Sequence, residues 1–218
     1  MCPMHRNTGL TGLLLVVVGV SLVLVSSLAG ATEPKYGGVF TMPISDDPPL
    51  WPIQGGIYNL LPNKLLYDTL VKYDPVDLSM VPGLAESWEV SDDGLTWTFH
   101  LRDGVKWHDG YPFTAEDVAF TVGIWLNRKI PYYLSGNVQG ITGVEVVDPL
   151  TVKIYAEQPI ASFPALLAYN MHMLPKHLLE DYTPEELVSP TEFLRHPIGT
   201  GAFKFDRKQP GSFVRLVA

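Results

Sequence analysis

The chain has 218 residues and a formal charge of −8, with 46% apolar, 17% charged and 11% aromatic residues. That length allows one domain or two small ones, and the composition is that of a chain able to bury a core. No block of basic residues occurs, so a nucleic-acid partner, which needs clustered Lys/Arg against phosphate, is not expected.

Residues 1–31 read as a secretory signal peptide. Met1 to Gly9 carries His5 and Arg6 and no acid, Leu10 to Leu28 is almost wholly apolar, and Ala29-Gly30-Ala31 is an A-x-A cleavage signal. Polar Thr32-Glu33-Pro34 follows at once, so cleavage before Thr32 is expected. The alternative is a retained membrane anchor, for which the apolar run is just long enough. The only cysteine, Cys2, lies inside the signal. The remaining chain therefore has no disulfide and no thiolate, and an exported protein of this kind must rely on an apolar core.

Gly38 to Ile44 reads as a first strand, which Pro43 limits to an edge or a strand end. Ser45 to Gly56, rich in Pro and Gly, reads as a loop. Ile57 to Tyr73 has apolar residues at helical spacing, with Pro62 tolerated in an early turn. Ser87 to Val90 and Leu95 to Leu101 flank "SDDG", a hairpin signal. Alternation then puts Trp97, Phe99 and Leu101 on one face, with Thr96, Thr98, His100 and Arg102 on the other. After the Asp103-Gly104 turn, Val105 and Trp107 point one way, and Lys106 and His108 the other. Thr114 and Asp117 open a helix like a capping box, and Ala115, Val118, Ala119, Val122 and Trp125 form its apolar face. A second hairpin turns at Asp148-Pro149-Leu150. Phe163 to Tyr169 and Pro175 to Asp181 read as short helices. Gly199 to Gly201 reads as a tight turn into a strand, and Ser212 to Ala218 as a final strand.

The densest chemistry lies in "GLTWTFHLRDGVKWHDG", Gly94 to Gly110, which holds two Trp, two His, two Asp and an Arg. Its alternation assigns Trp97, Phe99 and Trp107 to a common core and His100 and His108 to the polar side. Two such histidines without a third ligand make a poor zinc site, and the Asp-Gly pairs are turn chemistry. The stretch reads as scaffold. Phe99→Ala is then costly and His108→Ala is expected to cost little. His172 and His177 are five apart with Pro175 between them, which disfavours a metal pair. No G-x-S-x-G, H-E-x-x-H or P-loop pattern occurs. Tyr132 and Tyr133 sit in the polar loop "RKIPYYLSGNVQG", where aromatic rings can line a ligand cleft or simply pack, one down and one on the surface.

"LAESWEVSDDGLTWTFHLRDGVKWHDGYPFTAEDVAFT", Leu84 to Thr121, resembles the signature region of the family 5 extracellular solute-binding proteins, the dipeptide- and oligopeptide-binding components of ABC importers. "LLYDTLVKYD" before it, then "GVEVVDPLTVKI", "MLPKHLLED" and "PIGTGAFKF", follow in the family's order, so the resemblance covers about Gly37 to Val217. It implies an α/β fold: the first lobe of a cleft-closing, type II periplasmic-binding-protein-like architecture, with an inserted β-rich subdomain and with the second lobe missing from this chain. The implied division is 1–31 signal peptide, 32–65 N-terminal part of lobe I, 66–190 inserted β-rich subdomain, and 191–218 return to the lobe I core.

The implied function is extracytoplasmic capture of a peptide or similar small solute and its delivery to an ABC transporter permease, without catalysis, metal or cofactor. Oligosaccharide or metal chelate is the alternative ligand, and a secreted hydrolase built on a carboxylate–His pair is the rival from another class. The resemblance implies ligand contact at Ile53, Gln54, Gly55, Gly56 and Ile57, largely through backbone that the paired glycines let come close. It adds Tyr132 and Tyr133. Some peptide-binding members carry an acid where this chain has Gln54.

Overall fold

The computed structural model describes residues 37–44, 47–54 and 60–218. The segment read as a signal peptide, residues 1–31, therefore lies outside the described residues, as do Gly55, Gly56 and Ile57. The chain divides into two units, one ending at Pro43 and one from Ile44 to Ala218. Residues 37–44 carry no strand, against expectation. A lone extended segment needs a ladder partner for its N–H and C=O groups, and none pairs with it among the described residues.

In the second unit, α1 (Leu60–Leu66) opens the described helices. The helical spacing of 57–73 predicts a longer helix, but α1 stops at Leu66, and Val71–Tyr73 becomes strand β1, antiparallel to β2 (Met80–Pro82). Two tertiary contacts stop the helix. The Gly201 N–H donates to Leu66 O at 2.9 Å and the Phe203 N–H to Leu65 O at 3.1 Å, taking carbonyls that a continuing helix would use. The returning backbone lies so close that a Cβ on Gly199 would sit 1.8 Å from Leu66 O, so this position needs glycine for space.

β3 (Ala85–Val90), β4 (Thr96–Leu101), β5 (Ile141–Asp148) and β6 (Thr151–Ala156) form one antiparallel sheet in the order β3-β4-β6-β5. Gly94 turns the first hairpin at φ +73°, a conformation that costs glycine little. In register, Trp88 faces Phe99, Phe99 faces Val152 and Trp97 faces Ile154, so period-2 alternation delivers one apolar face. Phe163 meets it edge-on, 5.7 Å from Trp97 and 6.4 Å from Phe99 between ring centroids. The other face is polar. It carries Glu89, Thr98, His100, Lys153 and a Tyr155 hydroxyl that donates to Glu145.

α2 (Ala115–Leu126) packs against β5 and buries Ala115, Val118, Val122 and Trp125. Its start is fixed by Asp117, whose Oδ2 accepts from the Thr114 N–H at 2.9 Å and whose Oδ1 accepts from the Lys176 N–H at 3.0 Å. The buried carboxylate thus ties the helix start to α4 (Lys176–Leu179). Burial raises its pKa, opposed by these N–H bonds. α3 (Phe163–Asn170) packs against β1. Two helices not anticipated from the sequence follow, α5 (Pro184–Val188) and α6 (Thr191–Arg195). α5 is opened by Thr183 and Glu186, each bonding the other's backbone N–H. The chain ends in a hairpin of β7 (Lys204–Gln209) and β8 (Phe213–Val217).

Candidate functional site

Trp51 anchors the loop of residues 47–54. It is fully buried, its indole N–H donates to Leu187 O at 3.1 Å, and its ring meets Phe193 edge-on at 5.5 Å. α5 and α6 thus hold the loop from behind. Gln54 is held too, since its Nε2 donates to Val188 O at 2.6 Å. Ile53 is buried, and its carbonyl accepts a long bond, 3.5 Å, from the Tyr133 N–H. That bond brings together two groups of candidate residues that are distant in the sequence.

The two tyrosines separate by role. Tyr132 is buried and stacked on Trp125, with ring centroids 6.3 Å apart and 12° between planes. Its hydroxyl has no hydrogen-bond partner among the described residues. Tyr133 meets Tyr132 edge-on at 5.5 Å and remains 36% exposed. Desolvation and then the neighbouring Tyr169 push the Tyr133 hydroxyl well above the ordinary phenol range, so it is a neutral donor at physiological pH. Tyr169, at the end of α3, is exposed, and Lys64 Nζ lies 5.8 Å from its ring centroid. Sequence reasoning did not pick out Tyr169 or Lys64. Both sit on helices, and the tyrosine two residues past a core Leu was the only hint.

Tyr133, Tyr169, Gln54 and Lys64 carry between them apolar ring faces, phenol donors, an amide and an ammonium. Such a set can bind a small polar molecule through stacking and hydrogen bonds.

Elsewhere the histidines divide as follows. His177 Nε2 lies 2.8 Å from Asp109 Oδ2, the carboxylate–His contact that a hydrolase would need. Its ring is covered by Tyr111 at 4.1 Å, and its Nδ1 is buried with no hydrogen-bond partner among the described residues, so no nucleophile is attached. Desolvation raises the Asp109 pKa, but the His177 and Tyr111 bonds outweigh it and the net shift is downward. His172 is buried beside Tyr67. No cluster of three or more His, Cys, Asp or Glu able to hold a metal occurs among the described residues. His108 corrects the expectation of a dispensable side chain. It is half-buried, and both ring nitrogens bond backbone, at Gly199 N (3.2 Å) and Gly201 O (2.8 Å). Removing it leaves those two groups unpaired, which costs about 1–3 kcal/mol.

The family described as bacterial extracellular solute-binding proteins, family 5 Middle, matches residues 79–218. The chain belongs to this family. An ABC transporter peptide-binding protein of Brucella ovis is 39% identical over 152 residues, covering 70% of this chain and 28% of the relative. Among solved structures, NikZ from Campylobacter jejuni in complex with Ni(L-His) superposes with a TM-score of 0.70 at 34% identity, covering 80% of this chain and 33% of that one. The oligopeptide-binding protein AppA from Bacillus subtilis, in complex with a nonapeptide, gives 0.71 at 29% identity, covering 79% and 34%. The chain spans about a third of the length of the relatives it matches. The mixed α/β architecture is that of the family 5 periplasmic binding proteins.

Proposed function

We propose that this chain forms part of an exported solute-binding protein that captures a peptide or similar small solute and hands it to an ABC transporter permease, with no bond made or broken. The observation that carries this is the meeting of Ile53, next to Gln54 in the chain, with the partly exposed Tyr133, in a chain whose relatives are named for peptide binding. In this account Gln54, Tyr133 and the backbone around Ile53 face the solute. Tyr132 supports Tyr133 from the core. Backbone-directed hydrogen bonds would hold an extended peptide while its side chains vary. The proposed site of action is the periplasm or the outer face of the cytoplasmic membrane. The division at 32–65, 66–190 and 191–218 is kept as part of the proposal. It is supported by the four-stranded sheet lying wholly within 66–190 and by the 199–203 backbone bonding back onto Leu65 and Leu66.

Calorimetric titration with a mixed di- to pentapeptide pool tests this, with nickel–histidine as a competitor. Tyr133→Ala should weaken peptide affinity at least about tenfold, or about 1.4 kcal/mol. Unchanged affinity would refute the assignment of Tyr133. Binding of the nickel chelate with no binding of peptide would move the solute class to chelates.

A further inference from the structure

His108 lies outside the proposed solute wall, yet both of its ring nitrogens are bonded to backbone. The Gly199 N–H points at Nδ1 from 3.2 Å, so Nδ1 must accept and carry no proton. The Gly201 carbonyl faces Nε2 at 2.8 Å, so Nε2 must donate. Only the neutral Nε2–H tautomer satisfies both. A proton on Nδ1 would set one N–H against another. The His108 backbone N–H also donates to Gly199 O at 2.9 Å, so a turn and a loop far apart in sequence are closed on each other through one residue.

The same loop fastens other parts. The Gly201 and Phe203 N–H groups cap Leu66 and Leu65 at the end of α1, and Thr200 Oγ1 accepts from the Asp68 N–H at 3.3 Å. β7 begins one residue past Phe203. Glycine at 199 and 201 lets the backbones approach, since a Cβ at 201 would sit 2.4 Å from Leu65 O.

We propose that His108 is a proton-operated latch: as the neutral Nε2–H tautomer it holds the Gly199–Gly201 loop against the Trp107–Gly110 turn, and protonation at Nδ1 releases that loop from the end of α1.

The charged groups around the ring are compatible with this. Lys204, whose Nζ donates to His108 O at 3.4 Å, disfavours the imidazolium. Asp68 and Asp109 favour it, but each is engaged, Asp68 with Lys72 at 2.6 Å and Asp109 with His177 at 2.8 Å. Desolvation is the largest influence and lowers the pKa below the ordinary 6.5, and the Gly201 bond opposes it in part. The sign follows from linkage. A group whose folded pKa is depressed binds fewer protons folded than unfolded. The stability it lends is therefore complete above about pH 6.5 and is lost as pH falls through the folded value.

Nitrogen-15 NMR of the histidine rings in the intact protein, from pH 5 to 8, reads the latch directly. The expected result at pH 7.5 is a His108 with Nε2 protonated and Nδ1 bare, titrating below pH 6.5. Exchange of the Gly199 amide, corrected for intrinsic pH dependence, should rise by up to about tenfold per pH unit between about pH 6.5 and that midpoint and level off below it. His108→Gln retains a donor for Gly201 but cannot titrate, and its Gly199 exchange should be flat with pH. An Nδ1–H tautomer, a midpoint at or above 6.5, or the same pH dependence in His108→Gln would overturn the proposal. The tautomer is read on the native protein, so the test stands even if the variant folds poorly.

Discussion

Phe99→Ala probes the apolar sheet face most sharply. Phe99 is fully buried, sits between Trp88 and Val152 in the ladder, and packs on Trp97 and Phe163. Losing the buried ring forfeits about 2 kcal/mol of transfer free energy. The neighbours are themselves bulky and fixed by strand register, so collapse is incomplete. A residual cavity of about 80 Å³ adds about 2 kcal/mol at about 24 cal/mol per Å³. The total is about 4 kcal/mol. Urea unfolding followed by tryptophan fluorescence measures it, with Thr98→Ala on the opposite face as the control, expected to change stability by less than about 1 kcal/mol. A loss below 1 kcal/mol for Phe99→Ala, or equal losses in both variants, would refute the assignment of faces.

Asp117→Ala should cost about 2 kcal/mol in the same assay, because the Thr114 and Lys176 N–H groups both lose their acceptor; an unchanged midpoint would mean that water replaces the carboxylate without cost. Gly199→Ala should destabilise by at least about 2 kcal/mol, since its Cβ would meet Leu66 O at 1.8 Å. Gly123→Ala, in α2 with nothing within 4 Å, should instead stabilise by about 0.5–1 kcal/mol; the same sign for both glycines would contradict the close-approach argument.

The sheet and α2 were legible in the sequence because their signals are local. Alternation sets the faces of β4, Gly94 marks its turn, and Thr114 with Asp117 marks the helix start. What failed was set by partners far along the chain. Leu65 to Tyr73 keeps helical spacing, yet the 199–203 loop caps the helix at Leu66 and β2 claims Val71–Tyr73. His108 reads as a polar-side residue, and nothing near it in sequence announces Gly199 or Gly201. α5 did have a local signal, Thr183 followed by Pro184 and Glu186, but five residues give no periodicity to support it. For the candidate wall, sequence alone leaves Tyr132 and Tyr133 equivalent. Packing separates them, because the loop turns one ring onto Trp125 and leaves the other half-exposed.

The most direct test of the solute-binding account is to follow the backbone amides of the nitrogen-15-labelled 218-residue protein while a di- to pentapeptide pool is added. The account predicts weak binding, with the largest shifts at Ile53, Gln54 and Tyr133 and smaller ones at Lys64 and Tyr169. The open sheet face at Glu89, Thr98 and Lys153 should stay silent. Largest shifts on that sheet face would contradict it. So would no shift at about 5 mM peptide, where even a Kd of about 1 mM gives over about 80% occupancy.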